Sequence, residues 1–169
     1  MDTIRNKPDA GNKTAFRFAQ RDDCSLILGF IRDLAKFEHM ENEVVATEEM
    51  LAEWLMDKHS ADVLFAIVDE KEVGFALFFS NFSTFLGRAG LYLEDLYVLP
   101  EYRGRGIGTA IMRELAKIAV ERGCGRFEWA CLDWNTKSIA LYRSFGAEPM
   151  SDWTTYRLSG ERLTGFANI

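Results

Sequence analysis

A glycine-rich loop set between an apolar strand and a long amphipathic stretch constrains this chain more than any other feature. Gly90-Leu-Tyr-Leu-Glu-Asp-Leu-Tyr-Val-Leu-Pro100 is apolar and aromatic apart from Glu94 and Asp95, and it ends at a proline that cannot donate to a ladder. It reads as a central strand that stops at a working site. Arg103-Gly-Arg-Gly-Ile-Gly-Thr109 follows and runs into a helix in which Ile107, Ile111, Leu115, Ile118 and Ala119 recur with helical period. At Gly104, Gly106 and Gly108 no Cβ obstructs the backbone N–H groups. The helix N-terminus adds unpaired donors, and Arg103 and Arg105 add positive charge. A phosphate or pyrophosphate is the natural guest, and a flexible loop with two solvated arginines is the plain alternative. An ATP-type P-loop needs lysine after its last glycine, whereas Gly108 is followed by Thr109 and Ala110. A dinucleotide fingerprint needs glycine where Thr109 stands, and a loop joined directly to the strand. Both readings weaken.

The rest of the chain fits around this unit. Its 169 residues and 48% hydrophobic content suit one domain with a real core, taken as residues 14–169 behind a loose tail at 1–13. Residues 14–19 read as a first strand. Asp22 or Asp23 then caps a helix carrying Ile27, Ile31, Leu34 and Ala35. Thr47 starts another helix, with Glu48 and Glu49 in its first turn and Leu51, Trp54 and Leu55 as a buried stripe. Residues 61–68 and 73–80 form a hairpin about the charged turn Asp69-Glu-Lys-Glu72. Beyond the long helix, closed by Gly123 and Gly125, come a strand at 126–132, a short helix at 135–145 ending before Gly146, and a stretch at 154–158 that can close the sheet. Periodicity gives an α/β or α+β domain, a mixed sheet flanked by helices.

Composition narrows the partners. Twenty basic against 26 acidic residues give a net charge of −6, without a basic tract, so nucleic acid is not the expected ligand and a small cationic substrate is. No membrane-spanning or secretory stretch stands out, and a reducing cytoplasm is the expectation. Cys24, Cys124 and Cys131 lack metal spacing, and His39 and His59 lie in unrelated segments, so no metal is implied.

Four segments in order carry a resemblance: Leu34-Ala-Lys-Phe-Glu-His-Met-Glu41, Leu93-Glu-Asp-Leu-Tyr-Val98, the Arg103 to Gly108 loop, and the stretch from Asn135 to Tyr142. Together they resemble the spermidine/spermine and thialysine acetyltransferase family of the GNAT superfamily, over about residues 16–158. The resemblance implies a GNAT fold whose central strands splay to admit acetyl-CoA, and an N-acetyltransferase working by direct transfer. It implies that the backbone of Leu96, Tyr97 and Val98 holds the pantetheine arm. Arg103, Gly104, Arg105, Gly106, Ile107, Gly108 and Thr109 receive the pyrophosphate, and Asn135, Ser138, Tyr142 and Arg143 contact the cofactor.

For Arg143 a solvated helix arginine is an equal reading. Tyr142 matches the family's proposed general acid. Glu94 matches the group that takes the amine proton, directly or through water, while Asp95 and Glu38 match contacts to the cationic substrate. A plainer reading pairs Glu94 and Asp95 with arginines across the sheet. Strict alternation puts those two on opposite faces unless a bulge intervenes, and a carboxylate at Glu94 inside an apolar strand would be costly to bury. Phe37 and Tyr156 are candidate linings of the acceptor channel. Glu41 and Glu43 read as solvated charge. The acceptor reads first as a diamine or polyamine and second as a thialysine-like amino acid. An enzyme acting on a protein or peptide amine and a non-catalytic acyl-CoA-binding module are further alternatives. A homodimer is also implied, with Trp129, Trp134, Trp153 and Phe166 as candidate interface material.

Overall fold

A computed structural model describes residues 14–168; the proposed tail at 1–13 lies outside the described residues. The chain divides into two compact units, one ending at Ala130 and the other beginning at Cys131.

The first unit is built on a sheet of five strands in sequential order, β1 (Ala15–Phe18), β2 (Asp62–Val68), β3 (Lys71–Ser83), β4 (Arg88–Val98) and β5 (Phe127–Trp129). The first four pair antiparallel, and β5 joins β4 in parallel, so the sheet is mixed. The β2–β3 turn is tighter than its charged sequence suggests. Val68 pairs with Lys71, which leaves Asp69 and Glu70 as a two-residue loop with φ of 49° and 62°.

Helix α1 (Cys24–Phe37) covers one face of the sheet. Its Ile27 and Phe30 join Phe65, Phe75 and Tyr97 in a core where Phe30 stacks on Phe75 at 5.2 Å. Helix α3 (Ile107–Glu121) covers the opposite face, burying Ile107, Ile111, Leu115, Ile118 and Ala119 as the spacing predicts. It lies close to Gly74, where a Cβ would meet the Ile111 side chain at 3.2 Å and the Tyr97 carbonyl at 3.0 Å. Adjacent residues point to opposite faces of a strand, so Gly74 and Phe75 mark the two layers.

Three local expectations need correction. Asp23 stands at the start of α1, yet its carboxylate does not cap the helix. It accepts from the Gln20 N–H at 2.7 Å and pairs with Arg17 at 2.7 Å, and Arg17 holds it below the usual carboxylate range. Helix α2 (Glu48–Leu51) is capped by Thr47 as expected, and it then widens into a π-helical stretch at Ala52–Asp57. The wider turn keeps Leu51 and Leu55 buried together but leaves Trp54 52% exposed, beneath the Lys58 ammonium at 3.7 Å. Residues 154–158 do not close the sheet. They are exposed and irregular, because strand-forming side chains make a strand only where a ladder edge accepts them.

The second unit holds α4 (Thr136–Ser144) and α5 (Gly160–Ala167), the latter not anticipated from the sequence. Gly123 and Gly146, after α3 and α4, adopt the left-handed conformation expected at helix ends, with φ of 69° and 81°.

Candidate functional site

Two features of β4 and the loop behind it create the candidate site. The first is the loop. Gly104 and Gly106 have φ of 74° and 80°, and Gly106 is the residue from which α3 starts. The first helical bond runs from the Ala110 N–H to the Gly106 carbonyl at 2.9 Å. The N–H groups of Ile107, Gly108 and Thr109 therefore precede any intrahelical acceptor. A Cβ built on Gly104 or Gly108 would meet nothing within 4 Å, so the approach to these donors is open. Arg105 leans over the Tyr102 ring at 5.1 Å and donates to the Glu101 carbonyl at 2.9 Å. Arg103 turns elsewhere: its Nε–H donates to the Val98 carbonyl at 2.8 Å, and its guanidinium lies over the Phe37 and Tyr97 rings at 4.7 and 4.9 Å.

The second feature is the outer edge of β4. The parallel pairing with β5 stops at Leu93 opposite Trp129, so among the described residues β4 continues from Glu94 to Val98 with no strand beside that edge. Leu99 donates to Val73 of β3 at 2.9 Å, which turns the polar backbone of the alternate residues Val98 and Leu96 toward the open side. The Val98 carbonyl on that side already accepts from Arg103, so the Val98 N–H and the Leu96 backbone are the groups left facing it without a strand partner, on the edge that leads to the bare start of α3.

A one-residue bulge lies at the head of this edge. Leu77 pairs with Asp95 while the next residue, Phe78, pairs with Leu93, so Glu94 is the extra residue. The bulge is the exception to strict alternation that the sequence left open, and it corrects the expected burial of Glu94. Glu94 is exposed and carries no burial cost; the desolvated carboxylate is its neighbour Asp95. Asp95 is pushed up to about 6, first by burial and then by the charges of Glu94 and Glu38, so all three carboxylates act on one place. Burial also raises Glu38, just past the C-terminus of α1. Phe37, the last residue of α1, packs edge-on to Tyr97 at 6.5 Å. Among the described residues no group of three or more His, Cys, Asp or Glu is arranged to hold a metal ion, and no helix is long and apolar enough to cross a membrane.

In the second unit, Asn135 and Ser138 have local tasks. Asn135 caps α4, its Oδ1 accepting from the Ser138 N–H at 3.2 Å. One turn on, Tyr142 is half-buried, and its hydroxyl is raised by burial and by the nearby Cys131 thiol, with a Ser138 hydrogen bond opposing. The Ser138–Tyr142 spacing of one helical turn was readable in the sequence; the approach of Cys131 was not. Arg143 is exposed, and Tyr156 is 91% exposed in the irregular segment before α5.

An open strand edge that leads to a glycine-bare helix N-terminus is the acyl-CoA architecture of one enzyme class, and the chain belongs to the Acetyltransferase (GNAT) family, which matches residues 28–147. It is an acetyl-CoA-dependent acetyltransferase that acts on a small amine. Among its relatives is the thialysine N-epsilon-acetyltransferase of Mus musculus, 37% identical over 166 residues, covering 91% of this chain and 97% of that protein. The human spermidine/spermine N(1)-acetyltransferase-like protein 1 is 32% identical over 162 residues, covering 89% of this chain and 23% of that longer protein. Among solved structures, an integron cassette protein from the V. cholerae mobile metagenome superposes with a TM-score of 0.78 at 26% identity, covering 94% of this chain and 100% of the other.

Proposed function

We propose that this enzyme moves the acetyl group of acetyl-CoA to the terminal side-chain amine of a thialysine-like amino acid, with diamines and polyamines as the second acceptor class. The observation that carries the amine site is the desolvated Asp95 carboxylate next to the Glu94 bulge at the open β4 edge, with Glu94 and Glu38 adding their charge to it. Any of these acceptors brings an ammonium that such a cluster attracts, so the carboxylates alone do not rank them. Sequence reading alone put polyamines first; the near full-length similarity to thialysine enzymes supports the reverse order.

In this reading the N–H groups of residues 104–109, with Arg105 beside them, receive the pyrophosphate. The Leu96 and Val98 backbone holds the pantetheine arm, with the Tyr97 backbone between them turned to β3, and the Val98 N–H polarises the thioester carbonyl. Glu94, solvent-accessible at the bulge, takes a proton from the ammonium directly or through water, while Asp95 and Glu38 hold the cation. The neutral amine attacks the carbonyl carbon, the C–S bond breaks, the thiolate takes the Tyr142 proton, and the second proton shed by the nitrogen as the amide forms returns through solvent to the Tyr142 phenolate. A phenol raised above its usual range is fully protonated at neutral pH, as an acid must be. Transfer is direct in this reading, because Cys24 is buried at the start of α1 with its thiol raised by burial, and Cys124 lies between two glycines past the end of α3. We also infer a homodimer: no described residue of 131–168 is fully buried, and Trp134, Trp153 and Phe166 are exposed.

Steady-state acetylation of thialysine, lysine, ornithine, spermidine and a short diamine tests the ranking. Thialysine should have the highest kcat/KM; a tenfold preference for spermidine would reverse the order and leave the site assignment intact.

A further inference from the structure

Arg103 opens the anion loop, and position and charge alone make it a phosphate ligand. Its geometry assigns it other work. The Nε–H is committed to the Val98 carbonyl, and the planar guanidinium covers Phe37 and Tyr97 together. Those contacts join three elements: the loop, the end of β4 and the last residue of α1. Phe37 is followed directly by Glu38, whose N–H closes α1 on the Leu34 carbonyl at 2.9 Å. Where Phe37 sits therefore fixes the backbone from which the Glu38 side chain extends, and Arg103 is clamped over the Phe37 ring. A planar cation can cover two rings while keeping a fixed N–H on a carbonyl, and a lysine ammonium cannot do both.

We propose that Arg103 is a positioning residue for the amine pocket, a strut that holds the end of α1 and Glu38 against β4, rather than a ligand of the coenzyme pyrophosphate. The role in amine binding rests on the acetyltransferase reading above. The strut itself is a statement about α1 and is tested separately.

Arg103→Lys keeps the charge and removes the planar contacts. It should raise KM for the best amine about fivefold, the upper end of what an exposed cation–π contact contributes, and leave the acetyl-CoA dissociation constant by calorimetry within about threefold. Phe37→Leu should raise the amine KM by a similar factor. Combining the two should add little, because each removes the same contact. Hydrogen exchange at the Glu38 and Met40 amides, bonded to Leu34 and Ala35, should speed up at least about fivefold in Arg103→Lys with the amides of α3 unchanged. An Arg103→Lys enzyme with the wild-type amine KM, alongside an Arg103→Gln enzyme with acetyl-CoA affinity down tenfold or more, would make Arg103 a phosphate ligand and overturn the proposal. Unchanged exchange at the end of α1 overturns it too, whatever the kinetics. A wild type that binds acetyl-CoA but acetylates no amine overturns the functional reading alone, and the exchange result still decides the strut.

Discussion

Asp95 shows how one side chain takes on a task its strand would not give it. Its proton is held to about 6 by burial and by Glu94 and Glu38, against roughly 3.9 for a free aspartate. Between those two values the folded chain binds more protons at this site than the unfolded chain, so stability from this group falls as pH rises through the window and stays lowered above it. Asp95→Asn removes the titration. The variant should gain on the order of 1–2 kcal/mol over wild type at pH 7–8 and nothing below about pH 4, while its amine KM rises. Thermal melts across pH 4–8 provide the check, and a stability difference independent of pH would contradict the assignment. Tyr142→Phe keeps the ring and removes only the proton. Turnover should fall by about 10²-fold or more with acetyl-CoA affinity nearly unchanged, the range typical of general acid catalysis. Wild-type turnover under conditions where chemistry limits the rate would remove Tyr142 from that role.

Two short elements make separable contributions, one to binding and one to stability. At the start of α3, Gly106 has a φ of 80° and would strain any replacement, whereas Gly108 is helical and faces open space. Gly108→Val is thus the cleaner test of the anion site: stability should stay within about 0.5 kcal/mol, and acetyl-CoA affinity should fall tenfold or more. Calorimetry on the folded variant measures it, and unchanged affinity would remove the pyrophosphate from this position. The β2–β3 turn offers the converse. Asp69 and Glu70 both hold φ near +50 to +60° without being glycine. Glu70→Gly should raise the unfolding free energy by about 0.5–1 kcal/mol, read as a higher urea midpoint, without changing kinetics, since Asp-Gly is the pair that such a turn favours. The sequence marked this hairpin correctly but gave it a four-residue turn. Charge locates a turn, and only the pairing of Val68 with Lys71 shows how tight it is.

For the molecule as a whole, the contrast lies in burial. The unit ending at Ala130 has a fully buried aromatic core around Phe65, Phe75 and Phe78, while the described part of the unit beginning at Cys131 has no fully buried side chain and leaves Trp153 76% and Phe166 66% exposed. Apolar surface of that kind favours association with a second copy. Sedimentation at micromolar concentration should give a dimer, and Trp153→Ser with Phe166→Ser should shift it toward monomer. A monomeric wild type would remove the homodimer inference.

The sequence by itself determined the parts that depend on neighbours a few residues away. The α3 stripe from Ile107 to Ala119, the glycine-bare start of that helix, the strand character of β2 to β4 and the Thr47 cap all follow from period, φ preference and local hydrogen bonding. Glu94, Asp95 and Glu38 were legible as candidates, but which carboxylate is desolvated was not. That depends on a bulge opposite Leu77 and Phe78, and a bulge is a property of a pair of strands. The direction of Arg103, the early end of β5 that opens the β4 edge, the exposure of Trp54 and the irregular course of 154–158 were likewise decided by tertiary structure. In each case the outcome turns on whether a ring, an edge or a carbonyl from a distant segment arrives to meet the residue, and only the assembled fold contains that information.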